Sequence, residues 1–368
     1  MADSAAPDDF QAPAAAGEVV LEVNDITQTF QLAVGRGRKA TVSAVAGVSF
    51  QLAKGETLAI VGETGSGKTT LARCVMQAPP PRTGEVWFRG TNLAEQRGRH
   101  RQQAMRGLQF VFQNPYSSLD PRKRVTDLVA EPLVARKVGT SQQRGERVAE
   151  LLKAVGLDVA VHGRRRPHEL SGGQCQRVAI ARAIADLPDV IICDEPVASL
   201  DVSVQAQILN LLEDLRAAQN LSYLFITHDL AVAWHISHRI LILYMGRICE
   251  IGDSEAIYTH PRHPYSALLL ASSLSATRER PAVKVSGEPA SAIDPPSGCR
   301  YRTRCPRAAE VCATTVPELR PVDNGGRRLV ACHFPLLDDL PVEPAAVQIS
   351  ANEAAGTPRS LNPAPYSG

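Results

Sequence analysis

An α/β fold built on an open, mainly parallel sheet is predicted by three features of this 368-residue sequence. Short apolar stretches at 57–61, 190–193 and 223–226 have the length and composition of buried strands. A stretch with apolar residues at helical spacing, 204–217, lies between two of them, so strands and helices alternate. Glycine or polar residues directly follow each of these strands. In an open parallel sheet such residues meet at the carboxyl edge, where ligands bind.

The composition argues against several classes of protein. The net charge is +2, from 40 basic and 38 acidic residues, so the chain as a whole has no attraction for nucleic acid. It has no run of about 18 apolar residues that could span a membrane. Residues 1–17 lack the basic and apolar pattern of a secretory signal, so we expect a cytoplasmic protein. Segments 1–17 and 341–368 are expected to be disordered tails.

The first folded segment has β character. Apolar residues alternate over 19–23, and a second β segment at 42–52 precedes the strand at 57–61. These two segments predict an antiparallel β layer beside the main sheet.

A glycine-rich loop follows the strand at 57–61. Residues 62–69 fit the pattern G-x-x-x-x-G-K-[ST] of the phosphate-binding P-loop, and a helix is predicted to start directly after them. The glycines let backbone N–H groups form an anion site, which the helix N-terminus strengthens. Lys68 can reach the β- and γ-phosphates, and the Thr69 hydroxyl can ligate Mg²⁺. A chance glycine-rich turn is the alternative, and the flanking strand and helix argue against it. The residues expected to hold the nucleotide are Gly62, Glu63, Thr64, Gly65, Ser66, Gly67, Lys68, Thr69 and Thr70.

The middle of the chain is predicted to be mainly helical. Basic residues crowd into 95–106, where a solvated helix face is favoured over a patch for nucleic acid. A strand ends at Gln113, and helical periodicity extends over 124–160, with Gly156 as a C-terminal cap. The pentapeptide Leu-Ser-Gly-Gly-Gln at 170–174 then opens another helix.

Polar side chains mark the ends of two later strands. Asp194 and Glu195 follow the strand at 190–193, and His228 follows the strand at 223–226. In isolation, the acidic pair would indicate an exposed turn and the histidine a structural residue. Their places at strand ends favour a functional site instead.

Residues 18–262, taken in order, resemble the ATP-binding cassette ATPases, which are the nucleotide-binding domains of ABC transporters. A P-loop alone would indicate only a superfamily, whereas the pentapeptide at 170–174 resembles the signature of this family. The resemblance implies an α/β, P-loop NTPase fold: a RecA-like core, an antiparallel β layer and a helical subdomain at about 114–186. It also implies ATP and Mg²⁺ as ligands.

The resemblance assigns roles to residues at the carboxyl edge of the sheet. Asp194, Thr69 and Gln113 would hold Mg²⁺. Glu195 would be the general base that polarises the attacking water, and Gln113 would touch both metal and water. His228 would hydrogen-bond the γ-phosphate and hold the water in position. The catalytic residues are therefore expected to be Glu195, His228 and Gln113.

The signature is expected to act on a partner chain. In the family it closes over the γ-phosphate bound by the other ATPase, which implies a head-to-tail dimer with ATP between the chains. The residues assigned to this contact are Ser171, Gly172, Gly173, Gln174 and, at the same interface, Asp201. Where the family has Ser-Ala before Leu-Asp, this chain has Ala198-Ser199, an inverted pair. Phe30 stands where the family has an aromatic that stacks on adenine, with core packing as the alternative.

The C-terminal part carries four of the eight cysteines, with the spacing C-x5-C-x6-C-x19-C. These are Cys299, Cys305, Cys312 and Cys332. Four cysteines suit zinc or an iron–sulfur cluster, and free thiols or a disulfide are the alternatives. Together with the motif at 260–266, this region resembles the C-terminal extension of bacterial oligopeptide and dipeptide importer ATPases, expected here at 263–340. The resemblance favours a [4Fe–4S] cluster on the four thiolates in a small Cys-containing domain.

The resemblance predicts a subunit that hydrolyses ATP to drive import of di- and oligopeptides. Its expected partners are a paralogous ATPase, two membrane permease subunits and an extracytoplasmic solute-binding protein, with no nucleic acid. Its expected place is peripheral, on the cytoplasmic face of the membrane. The alternatives are the same role for nickel, glutathione or another small solute, and a non-transport ABC ATPase acting on nucleic acid.

Overall fold

The computed structural model describes residues 17–33, 39–275, 293, 295–323 and 325–336. The tails predicted to be disordered therefore lie outside the described residues, except for Gly17, as does most of the segment between 276 and 294. Within the described part, no helix is both long enough and apolar enough to cross a lipid bilayer.

Two sheets and a set of helices make up the described chain. The strands are β1 (Val19–Ala33), β2 (Lys39–Ala53), β3 (Thr57–Val61), β4 (Thr83–Phe88), β5 (Thr91–Asn92), β6 (Leu108–Val111), β7 (Val190–Asp194), β8 (Ser222–Thr227), β9 (Arg239–Tyr244), β10 (Arg247–Asp253), β11 (Arg320–Pro321) and β12 (Leu329–Val330). The helices are α1 (Lys68–Val75), α2 (Gly98–Ala104), α3 (Pro115–Ser118), α4 (Val125–Ala135), α5 (Ser141–Ala154), α6 (Val159–His162), α7 (Gly172–Ile184), α8 (Val202–Gln219), α9 (Leu230–Ile236), α10 (Ser254–Thr259), α11 (Pro264–Ser275) and α12 (Glu310–Thr314).

The smaller sheet is the predicted antiparallel layer. Its four strands have the order β2-β1-β4-β5, and β1 pairs along nearly its whole length with β2, from Val19 opposite Ala53 to Ala33 opposite Lys39. Alternation along β1 places Leu21 and Val23 on the buried face. That face packs on α1 and on one side of the larger sheet.

The larger sheet has eight strands in the order β11-β12-β10-β9-β3-β8-β7-β6. Neighbours from β9 to β6 run parallel, while β10, β12 and β11 pair antiparallel. Every residue of β3, β7, β8 and β9 is buried, because both faces of these strands are covered. This mixed α/β architecture confirms the predicted fold class.

The parallel strands place their following residues along one edge of the sheet. Gly62 follows β3, Gln113 comes two residues after β6, Asp194 closes β7, and His228 follows β8. These four residues therefore lie along the carboxyl edge of the sheet, although they are spread over more than 160 positions of the sequence.

The helical part between β6 and β7 differs in one respect from the prediction. The stretch 124–160 contains α4, α5 and the start of α6. Lys137 and Gly139 interrupt it between α4 and α5, where they adopt left-handed φ values of 56° and 57°. Gly156 does follow the end of α5, with φ of 73°. Helix α2 in the basic stretch has no buried residue, as expected for a solvated helix.

The C-terminal segment, which comprises the described residues from 263 to 336, packs into the same core as the main sheet. Apolar residues of α11 and Tyr301 share a cluster with residues of β3 and β9. Strand β12 pairs with β10, with Val330 opposite Glu250. The Glu250 carboxylate is fully buried and accepts a hydrogen bond of 2.9 Å from Arg328 Nε. It also accepts the backbone N–H of Arg262 at 3.0 Å and that of His263 at 2.9 Å.

Candidate functional site

The glycine loop is shaped by close backbone contacts. Gly67 has φ of 104° and precedes α1, and a Cβ on it would lie 2.2 Å from the carbonyl oxygen of Ala44. A Cβ on Gly62 would lie 2.2 Å from the carbonyl oxygen of Leu243. Only glycine fits either position, so neighbouring strands fix the course of the loop.

Lys68 lies at the first position of α1 with its ammonium group folded back under the loop. Nζ donates to the carbonyl oxygens of Gly62, at 2.7 Å, and Glu63, at 3.1 Å. Burial lowers the pKa of Lys68, and the nearby carboxylate of Glu195, 3.8 Å away, opposes that effect. The cation is thus held at the centre of the loop, where a nucleotide phosphate would need it.

The loop and the adjacent strand end suit a nucleotide with Mg²⁺. Ser66 Oγ is buried and has no hydrogen-bond partner among the described residues. Gly65 has φ of 82° and open space around its Cβ position, so the outer face of the loop is accessible. Thr69 Oγ1 donates to Asp194 Oδ1 at 3.0 Å, which places two hard oxygen ligands side by side.

Asp194 is the last residue of a fully buried strand. Burial raises the pKa of its carboxyl group, and the hydrogen bond from Thr69 opposes that rise. A partly desolvated carboxylate next to a hydroxyl is the type of group that a divalent cation would neutralise.

Glu195 is the point at which the predicted catalytic residues meet. Gln113 Nε2 donates to Glu195 Oε2 at 3.0 Å, and His228 Nδ1 lies 3.4 Å from the same oxygen. Lys68 approaches the other carboxylate oxygen. The Glu195 backbone has φ of 47°, and its N–H donates to Ile226 at 3.0 Å. Left-handed backbone at a glutamate is strained, and such strain is typical of functional sites.

The signature residues lie at the start of α7, and their hydrogen bonds stay within the helical part. Ser171 Oγ accepts from the Gln174 backbone N–H at 3.3 Å, and Gln174 Oε1 accepts from the Ser171 N–H at 3.0 Å. This reciprocal pair is a capping box. A Cβ on Gly173 would lie 2.6 Å from a methyl group of Val204 on α8. In the described part of the chain, no hydrogen bond joins residues 171–174 to the glycine loop.

The remaining predicted nucleotide contacts are exposed. Asp201 precedes α8 and makes no side-chain capping bond there. Ala198 and Ser199 are exposed as well. Phe30 is 39% exposed near the end of β1, so the alternative of core packing does not hold for it. These side chains are available to a ligand or a partner.

The predicted [4Fe–4S] cluster was wrong. Among the residues that the structure describes, no three His, Cys, Asp or Glu side chains are grouped where they could hold a metal ion. All eight cysteines are free thiols. Burial raises the pKa of Cys299 and Cys305, and that of Cys332 to about 11, so protonated thiols are favoured over the thiolates that a cluster needs. Cys299 and Cys305 pack instead against the apolar cluster around Tyr301.

Two residues of the C-terminal segment reach the glycine loop, and sequence reasoning missed both. Arg304 donates two hydrogen bonds to the carboxylate of Glu63, at 2.8 and 3.0 Å. The Tyr265 hydroxyl accepts the backbone N–H of Glu63 at 2.8 Å. These contacts span more than 200 residues of sequence, and no local pattern marks them.

Comparison with known families identifies two regions of the chain. A family model described as "ABC transporter" matches residues 45–198. A second, described as "Oligopeptide/dipeptide transporter, C-terminal region", matches residues 249–312.

Individual proteins give the same result over most of the chain. The oligopeptide transport ATP-binding protein AppF of Bacillus subtilis is 43% identical over 87% of this chain and 99% of its own length. The di/tripeptide transport ATP-binding protein DppF of Pseudomonas aeruginosa is 41% identical over 86% of this chain and 98% of its own length. A dimeric, post-hydrolysis structure of the ATP-binding cassette MJ0796 with ADP and phosphate is 29% identical. It has a TM-score of 0.57 and covers 64% of this chain and 98% of that chain. The chain therefore belongs to the ATP-binding proteins of ABC transporters, in the oligopeptide/dipeptide transporter family.

Proposed function

We propose that this chain is the subunit that hydrolyses ATP to drive import of di- and oligopeptides through a membrane permease. Its relatives named above are transport ATP-binding proteins for oligopeptides and for di- and tripeptides. The observation that carries the catalytic part of the proposal is the convergence of Gln113, His228 and Lys68 on the carboxylate of Glu195.

Each residue at the carboxyl edge has a task that its position supports. Lys68 and the backbone N–H groups of the glycine loop bind the phosphates, and Ser66 Oγ offers a buried hydroxyl to them. Glu195 takes the proton of the attacking water. Gln113 and His228 hold that carboxylate from two sides, which fixes its orientation towards the water.

Thr69, Asp194 and Gln113 would hold Mg²⁺, which would neutralise charge on the β- and γ-phosphates. Phe30, exposed at the end of β1, stacks on the adenine ring. These roles are consistent with an ATP site within 18–262 and a C-terminal extension at 263–340.

The exposure of the signature residues supports a role for them in an assembly. Ser171, Gly172 and Gly173 begin α7 with their outer face exposed or half-buried. They close over ATP bound by a paralogous ATPase subunit in a head-to-tail dimer, and Asp201 lies at the same interface. The dimer sits on the cytoplasmic face of two permease subunits, which receive peptide from a solute-binding protein.

The variant Glu195→Gln tests the proposed base. In the complex reconstituted with its permease into liposomes, we expect ATP hydrolysis to fall by about 10²- to 10⁴-fold, because the amide accepts no proton from water. ATP binding should persist, and peptide uptake should stop. Glu146→Gln, on the exposed face of α5, is the matched control and should behave as the wild type. Unchanged hydrolysis by Glu195→Gln would exclude Glu195 as the base. If the wild-type complex hydrolyses ATP but takes up no peptide, only the proposal that peptides are the cargo would be refuted.

A further inference from the structure

Glu63, the second residue of the glycine loop, is held through every polar group it carries. Its carbonyl oxygen accepts from Lys68 Nζ and from the Ser66 N–H, both at 3.1 Å. Its N–H donates to the Tyr265 hydroxyl, and its carboxylate accepts two parallel bonds from Arg304. The first two contacts are internal to the loop, whereas the last two come from the C-terminal segment.

The groups that hold Glu63 from outside are themselves fixed. The Arg304 side chain is 7% exposed, and its hydrogen bonds to Glu63 raise its pKa. Tyr265 is fully buried. Its ring contacts Tyr244, at 4.6 Å between centroids, and Tyr301, at 5.3 Å. This three-tyrosine cluster joins the end of β9, the start of α11 and the loop that carries Arg304.

Fixing Glu63 has a direct effect on the phosphate site. The Glu63 carbonyl is one of two that locate the Lys68 ammonium group, so its orientation sets where the cation lies. The neighbouring Thr64 and Gly65 are exposed, whereas Glu63 is tied to Tyr265 and Arg304. An unpaired Glu63 carboxylate would also place a negative charge beside the site where the phosphates bind.

We propose that Arg304 and Tyr265 are positioning residues of the ATP site, so that the C-terminal segment is a working part of that site. The bidentate Arg304 pair both neutralises Glu63 and sets the plane of its carboxylate. Tyr265 fixes the adjacent peptide unit. This inference rests on the proposed ATPase function and adds residues outside the cassette to it.

The test compares Arg304→Ala, Arg304→Lys and Tyr265→Phe with the wild-type full chain. Equilibrium binding of a fluorescent ATP analogue gives the Kd of each. We expect Arg304→Ala to raise the Kd on the order of tenfold, because a displaced loop misplaces Lys68. Arg304→Lys, which restores the charge without the bidentate geometry, should recover part of this loss. Tyr265→Phe should show a smaller loss. In the assembled complex, the KM for ATP should rise more than kcat falls.

Arg302→Ala is the matched control. Arg302 lies two residues away, and its hydrogen bonds to described residues go to Ser297, at 3.0 Å, and Cys299, at 3.1 Å, both in the C-terminal segment. It should keep the wild-type Kd. An Arg304→Ala Kd within twofold of the wild-type value would overturn the inference, as would an equal rise in Arg302→Ala. Absence of ATP binding by the wild-type chain would instead refute the proposed function itself.

Discussion

His263 shows how burial alone can keep a residue neutral. It is 1% exposed, and burial lowers its pKa to about 3. Its Nδ1 accepts the backbone N–H of Tyr265 at 3.0 Å, so the neutral ring caps the start of α11. Its backbone N–H donates to Glu250, which is paired with Arg328, and the Tyr301 ring lies 5.8 Å from the His263 ring.

We expect this histidine to make the fold sensitive to mild acid. In the unfolded chain the imidazole of His263 is protonated near pH 6.5, whereas its pKa in the folded chain is about 3. The contribution of His263 is therefore complete above pH 6.5 and falls below it, by at most about 1.4 kcal/mol per pH unit. Urea unfolding between pH 7.5 and 5.5 measures the slope.

The variant His263→Asn separates this titration from the cap. Asparagine keeps an acceptor for the Tyr265 N–H but carries no titrating group. Its free energy of unfolding should fall less steeply with acid than that of the wild type. Equal slopes for the two proteins would show that His263 does not cause the acid sensitivity.

Sequence reasoning located individual residues correctly where their place in the fold follows from local order. Lys68 ends the loop that follows β3, and Glu195 stands directly after β7, so their neighbours in sequence place both at the carboxyl edge. The pairing of Glu63 with Arg304 was not predictable, because these residues are 241 positions apart. The cysteine spacing was misleading for a related reason, because spacing alone does not determine whether Cys299 and Cys332 are metal ligands or protonated thiols.

Helices α5 and α7 both begin with a capping box, so the effect of removing the capping hydroxyl can be compared between them. Thr140 and Gln143 form a capping box at α5, with bonds of 3.3 and 2.8 Å. Ser171 and Gln174 do so at α7. Removing either hydroxyl takes away a hydrogen-bond acceptor for one backbone N–H at the helix N-terminus.

We expect Thr140→Ala and Ser171→Ala each to lower the free energy of unfolding by about 1 kcal/mol. Only Ser171→Ala should also lower the ATPase activity of the assembled complex, because its hydroxyl is proposed to face the partner's ATP. Denaturant unfolding and steady-state hydrolysis are the two measurements. Full activity of Ser171→Ala would restrict that hydroxyl to its capping role, and a loss in Thr140→Ala would mean that instability alone reduces activity.

Strands were easier to predict than helix boundaries. Buried strands such as β3 and β8 are short apolar runs with polar residues at one end. The helical stretch 124–160 has no proline at the break after α4, and the left-handed turn there begins at a lysine, Lys137. Lysine gives no signal of a turn, since it also favours helices, and the single Gly139 did not outweigh the helical periodicity around it.

A buried ion pair joins the C-terminal segment to the larger sheet. Glu250 has no exposed surface, and the Arg328 side chain is 8% exposed. Arg328→Met should lower the free energy of unfolding by about 3–5 kcal/mol, because it leaves a buried carboxylate without its cation. Thermal and urea unfolding of the full chain measure the loss.

The double variant Arg328→Met/Glu250→Gln should recover part of that stability. An amide needs no cation, and its oxygen can still accept the backbone N–H groups of Arg262 and His263. The control is Arg327→Met, since Arg327 is adjacent and exposed. Wild-type stability in Arg328→Met would contradict the assigned role, and so would an equal loss in Arg327→Met.

The short strands at the end of the larger sheet have a consequence for solubility. Strand β12 occupies the edge of β10, which would otherwise offer unpaired backbone groups to a strand of another chain. The outermost strand, β11, is only two residues long, the exposed pair Arg320–Pro321. Proline has no backbone N–H and arginine is charged, so this pair is a poor template for a further strand. The sheet thus ends in a strand that resists aggregation, and this protection depends on the same segment that holds the glycine loop.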